Sequence, residues 1–282
     1  QVGSDIDGEA AGDQSGWSVS MSSDGTRVAI GARGNEGASS DAGHVRVYEE
    51  SGGTWTQVGS DIDGEAARDH SGRSVSMSSD GTRVAIGANE NDGTGSVYLD
   101  NAGHVRVYAE SGGTWTQVGA DIDGEAARDN SGYSVSISSD GTRVAIGATE
   151  NDGTGSGAGH VRVYSESGGT WTQVGADIDG EAAGDNSGWS VSMSSDSTRV
   201  AIGAWGNDGT GSDAGHVRVY DNSCTASADP SKDGSDGSFY CINGGTIGGP
   251  AGSCTCTSCN TGYGGVSCQN ESPPPPPPPP ST

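Results

Sequence analysis

An all-β fold of four repeated sheets is predicted by three features of the sequence. The 282-residue chain holds 51 glycines and a single phenylalanine. Its apolar residues are mostly Val, Ile and Ala, in short alternating stretches with no sustained helical period. The heptapeptide DIDGEAA recurs at Asp5, Asp61, Asp121 and Asp177, a period of about 56–60 residues. The longer interval contains an insertion around Val97, Tyr98, Leu99 and Asp100.

Each repeat offers four strands, taken here from the first copy. Ser18–Ser22 alternates Val19 and Met21 with serines. Thr26–Ala32 alternates Val28 and Ile30 with Arg27, Ala29 and Gly31. His44–Glu49 alternates Val45 and Val47 with Arg46 and Tyr48. Thr54–Gly59 supplies the fourth. Period-two alternation places the two sets on opposite faces of a sheet. Ser23-Asp24-Gly25 joins the first two strands through a tight-hairpin signal, and Ser51-Gly52-Gly53 joins the last two. Four antiparallel strands at this period predict the blades of a four-bladed β-propeller. The fourth copy runs through Tyr220 without a TWTQVG strand, and Gln1-Val2-Gly3 matches the end of that strand. The N-terminal strand is therefore expected to close the last blade and cover its sheet edge. The competing expectation is that this strand pairs with a neighbouring molecule and makes a filament.

The segment SGWSVSMSSDGTRVAIGA, ending at Ala32, and its copies resemble the FG-GAP repeats of integrin α-subunit propellers. The resemblance implies a β-propeller and extracellular adhesion. Two features depart from that family. Integrin-like propellers have seven blades, against four repeats here. Their Asp-rich calcium loop is shortened here to SSDGT, too few oxygens to wrap a cation. The family's calcium sites do not transfer.

All six cysteines, Cys224, Cys241, Cys254, Cys256, Cys259 and Cys268, fall in one Gly-rich stretch. An even, clustered set reads as a disulfide scaffold made in an oxidising compartment, with the pairing open. A metal site at Cys254, Cys256 and Cys259 is the weaker alternative, for the spacing is irregular and no His is near. CINGGT, the Cys254-Thr255-Cys256 pair and NTGYGGVSC resemble an EGF-like module, although Ile247 stands where a cysteine is expected and Cys259 is extra. Asn270-Glu271-Ser272 is an N-glycosylation sequon. The prolines that follow (Pro273, Pro274, Pro275, Pro276, Pro277, Pro278, Pro279, Pro280) form an extended polyproline II segment. With Ser281 and Thr282 they are similar to the hydroxyproline-rich glycoproteins of algal and plant cell walls and flagellar hairs. The sequon predicts a sugar on Asn270, and the resemblance implies hydroxylated prolines carrying short sugars along the tail. The expected domains are a propeller at 1–221, an EGF-like module at 222–269 and a glycosylated tail at 270–282.

The formal net charge of −25, with 13 Lys and Arg, argues against nucleic acid and anionic membrane as partners. No apolar run is long enough for direct membrane insertion. Asp5, Asp7 and Glu9 recur as Asp61, Asp63 and Glu65, as Asp121, Asp123 and Glu125, and as Asp177, Asp179 and Glu181. Alternate oxygens at this spacing suit calcium; the competing reading is that these carboxylates cap turns. No other cofactor is expected. His44, His104, His160 and His216 repeat with the fold and read as structural strand-end residues, while His70 stands alone in a loop. Trp17, Arg73, Tyr133 and Trp189 share one variable repeat position and predict an exposed contact surface. No repeat gathers a nucleophile, a base and an orienting acid, so a non-enzymatic protein is expected. The sequence predicts a secreted structural glycoprotein polymerising with copies of itself. The alternative is a calcium-dependent adhesion or ligand-binding propeller.

Overall fold

A computed structural model describes residues 1–37, 39–92 and 101–222, with Pro250 and the backbone of six short strands beyond. All regular structure among the described residues is β-strand. The chain divides into two units, Gln1–Asp221 and Asn222–Thr282.

The first unit holds four antiparallel sheets, consistent with a four-bladed β-propeller. Blade one orders β1 (Ser18–Met21), β2 (Arg27–Ala32), β3 (His44–Ser51) and β4 (Thr54–Gln57), with β5 (Ile62–Asp63) also on β3. Blade two comprises β6 (Ser74–Met77), β7 (Arg83–Ala88), β8 (His104–Ser111), β9 (Thr114–Gln117) and β10 (Ile122–Asp123). Blade three repeats this with β11 (Ser131–Ile137), β12 (Arg143–Ala148), β13 (His160–Ser167), β14 (Thr170–Gln173) and β15 (Ile178–Asp179). Blade four has three strands, β16 (Ser190–Met193), β17 (Arg199–Ala204) and β18 (His216–Asp221).

The β1–β2 hairpin forms because one carboxylate satisfies its turn. Asp24 Oδ1 accepts from Ser22 Oγ, Thr26 N and Thr26 Oγ1 at 2.7, 3.0 and 2.9 Å. These bonds hold its carboxyl down at about 2. The expected continuous strand Thr54–Gly59 is split. β4 pairs with the far half of β3, Tyr48 opposite Gln57, and β5 with the near half, His44 opposite Asp63. Gly59 lies between them at φ +74°, where a Cβ would come within 2.8 Å of Gly113 O. The break lets the chain turn from one blade towards the next.

The alternation seen in the sequence becomes sheet-on-sheet packing. Ala29, Val45, Val47 and Ile62 on the front of blade one pack against Val75, Met77, Val84 and Ile86 on the back of blade two. The later junctions repeat the arrangement. Polar contacts fix the spacing. Met77 N donates to Ser20 Oγ and Ser18 Oγ to Gly72 O, with the same bonds at the next junctions.

The expected closure of blade four by Gln1-Val2-Gly3 is not what the structure shows. Among the described residues β18 pairs only with β17. Trp55 Nε1 instead donates to Val2 O at 3.0 Å, matching Trp115 to Val58 and Trp171 to Val118. Residues 1–7 thus lie on the back of blade one, where the outer segment of a preceding blade would lie. The reason is the indole anchor: Trp55 offers the N-terminal segment the same partner that Trp115 and Trp171 offer the next two linkers.

In the second unit β19 (Thr225–Ala226) pairs in parallel with β20 (Ser238–Phe239). The strand β21 (Gly245–Gly248) pairs antiparallel with β22 (Thr255–Cys259), and β23 (Tyr263–Gly264) with β24 (Asn270–Glu271). The side chains of the six cysteines, the side chain of Asn270 with its expected sugar and the proline tail lie outside the described residues, as does the insertion at 97–100.

Candidate functional site

Two features stand out from the repeated framework: an acid–histidine cluster in each blade, and the two open faces of the array.

Each cluster joins three parts of the chain. Glu9 comes from the segment before blade one, His44 opens β3, and Asp61 follows β4. His44 Nδ1 lies 3.9 Å from Glu9 Oε2 and 3.8 Å from Asp61 Oδ2. His104 stands 4.0 Å from Glu65 and 3.9 Å from Asp121. His160 is 4.0 Å from Glu125, with Asp177 completing the group. In each cluster one oxygen or nitrogen per residue falls within 4.8 Å of the others. His216 and Glu181 approach to 3.7 Å in blade four. Asp5, which corresponds to Asp61, lies at the other end of the array.

The histidines are the buried members. His44, His104 and His160 are each 1% exposed, and the Nε2 of each is buried without a hydrogen-bond partner. Burial and the nearby Arg106 push the His104 imidazole down to about 4, against the pull of Asp121. Burial and Arg162 lower His160. Both rings are neutral at pH 7. The second glutamate oxygen is held by the arginine two residues on: Arg46 Nη1 to Glu9 at 3.5 Å, Arg106 to Glu65 at 3.4 Å and Arg162 to Glu125 at 3.3 Å. The next-but-one aspartate carbonyls also bind these arginines, as in Arg106 Nη2 to Asp63 O at 2.7 Å.

The predicted acidic sets are therefore divided between blades. Asp61 turns to His44 while Glu65 turns to His104. Asp61, Asp121 and Asp177 each also accept from the preceding glutamine at 2.6 Å. The histidines enter the clusters because Glu and Asp arrive from successive repeats, a meeting that local spacing does not reveal. The run Asp5, Asp7 and Glu9 does not form a cluster of its own among the described residues.

The variable position also assembles. Arg33 stacks over Trp17 at 3.6 Å and Arg73 over Tyr133 at 3.9 Å. Tyr133 and Trp189 have ring centroids 4.6 Å apart, and Trp189 meets Trp205 edge-on at 5.6 Å. Trp17, Trp189 and Trp205 remain exposed.

The open faces are apolar. Val19 and Met21 on the back of blade one are 64% and 54% exposed, against 8% and 7% for Val75 and Met77. Val217 and Val219 on the front of blade four are 69% and 63% exposed, whereas Val45 and Val47 are closed off.

The FG-GAP repeat model matches residues 6–48, 60–99 and 176–220. Among curated proteins no relative matches the chain. One similar solved structure is that of Kuenenia stuttgartiensis hydrazine synthase, at 14% identity and a TM-score of 0.45. That match covers 78% of this chain and 53% of the other, so the chain spans about half the length of that protein. Three stretches of the first unit, in blades one, two and four, thus match FG-GAP repeats, which are typical of extracellular adhesion and binding modules.

Proposed function

We propose that this protein is a structural subunit of an extracellular glycoprotein filament, assembling head to tail through its two open faces. The observation that carries this reading is their complementarity. The front of blade four offers Val217 and Val219, where inner junctions bury the equivalent valines. The back of blade one offers Val19 and Met21, where Val75 and Met77 are covered. Docking the front of blade four onto the back of blade one in a second copy reproduces an inner junction. It also delivers the partner's residues 1–7, which match 57–63, as the counterpart of the β5 segment that blade four lacks. Such a contact is heterologous, and it grows into a filament unless the rotation closes a ring.

The reading further assigns the second unit to disulfide-stapled EGF-like joints and the tail to glycosylated struts. Homopolymer contacts and covalent glycans are then the partners, with no role for nucleic acid or membrane insertion. Electron microscopy and light scattering of the full chain test it. Filaments lost in V217D/V219D support the proposal, and monomers or closed rings at every concentration overturn it.

A second reading, a ligand-binding adhesion module, is favoured by the stack of Trp17, Arg73, Tyr133 and Trp189, whose two tryptophans are exposed. It predicts a saturable partner whose binding is lost in W17A/W189A while assembly is unchanged.

A further inference from the structure

We propose that each complete Glu–His–Asp cluster is a site for a divalent metal ion of the zinc class, one per blade in the first three blades. The sites are Glu9, His44 and Asp61; Glu65, His104 and Asp121; and Glu125, His160 and Asp177. The proposal stands independently of the filament reading.

The donor set argues for this metal class. Imidazole nitrogen with carboxylate oxygen suits zinc and its neighbours, whereas calcium prefers oxygen alone. Three protein ligands with an open fourth position form a familiar zinc environment. Metal–ligand bonds of about 2.0–2.2 Å hold neighbouring donor atoms about 3.3 Å apart. The five closest His–carboxylate separations in these clusters are 3.8 to 4.0 Å and all donor atoms of a cluster lie within 4.8 Å, so binding needs a contraction of about 0.5–1.5 Å. The carboxylates can supply it, for Glu9 and Asp61 side chains are 45% and 30% exposed while the ring is fixed.

The second observation is the histidine itself. Its ring is fully enclosed, its Nε2 has no partner, and its Nδ1 points at two carboxylates beyond hydrogen-bond reach. A buried polar group without partners is costly, and natural folds supply one. While Nε2 faces away from the carboxylates, a cation between Nδ1 and the two oxygens gives Nδ1 such a partner. It also relieves the repulsion between carboxylates drawn from successive repeats. The arginine on the second glutamate oxygen orients that ligand, as outer-shell partners do. The three donors come from the segment entering a blade, from its β3 strand and from the segment leaving it. A bound ion would tie these together in each blade.

The test is a zinc titration of the chelator-stripped full chain, by calorimetry and equilibrium dialysis, with far-ultraviolet circular dichroism on every variant. Three saturable ions per chain are expected, falling to two in E65Q. The variant E9Q/E65Q/E125Q changes only exposed carboxylates, leaves the buried rings intact and should weaken zinc binding at least about tenfold. Absence of saturable binding overturns the proposal. So does a zinc stoichiometry unmoved in the triple variant, which would place the ions at the cysteines or at His70. Calcium competing equally with zinc overturns the assignment of metal class.

Discussion

At the residue scale, single atoms hold the blades at their spacing. Gly103 sits at φ +74°, and a Cβ there would lie 2.1 Å from Ser131 O. Gly43 and Gly159 have the same surroundings, and all three form the parallel bridges between blades. Gly103→Ala should destabilise the first unit by about 2–4 kcal/mol, combining left-handed strain with a backbone clash; urea unfolding measures it. Buried His104 sets a pH limit. The folded pKa of His104 is lowered to about 4 from 6.5, so the unfolded state binds more protons between those values. Its contribution is intact above pH 6.5 and is lost as pH falls towards 4, by about 3 kcal/mol. His104→Asn should flatten that part of the stability–pH curve. Asp24 contributes at the acid extreme, since its lowered pKa means stability present above the ordinary carboxylate range and lost as pH falls towards about 2. The turn carboxylates were legible in the Asp-Gly signal. The histidine environment was not, because Glu9 and Asp61 are brought to His44 only by the crossing of two linkers.

At the element scale, the strands follow the sequence closely and their edges do not. β1, β2 and β3 lie where alternation and turn residues place them, because period two and glycine turns are local properties. The division of the fourth strand into β4 and β5 depends on Gly59 approaching Trp115 of the next blade, a long-range contact. The same scale shows an imbalance between junctions. Arg27 pairs with Glu110 and Arg83 with Glu166, each at 3.1 Å across a junction. Arg143 holds the equivalent place at the third junction, and its Nη1 and Nη2 are buried without partners. The residue matching Glu110 and Glu166 there is Asn222. Arg143→Met should therefore raise stability by about 1 kcal/mol, seen as a higher melting temperature.

At the scale of the whole molecule, stacking four near-identical sheets leaves one front and one back uncovered. Inner junctions bury Val161 and Val163, so charge there should unfold the blades. The equivalent Val217 and Val219 are exposed, and aspartate at both should change monomer stability by less than about 0.5 kcal/mol while abolishing self-association. Sedimentation velocity separates the two effects. The expectation that residues 1–3 close blade four failed at this scale. The sequence match between Gln1-Val2-Gly3 and the strand end was real, but it names a repeat position and not which blade supplies the partner.

By itself the sequence determined the all-β class, the four repeats, the strands within each and the acidic, basic-poor character. These rest on periodicity, turn chemistry and charge, all carried by neighbouring residues. Only the tertiary structure decided where residues 1–7 lie, which faces stay open and which acids meet each histidine. Those depend on contacts between residues a full repeat apart, and repeated sequences offer several equivalent partners for each such contact.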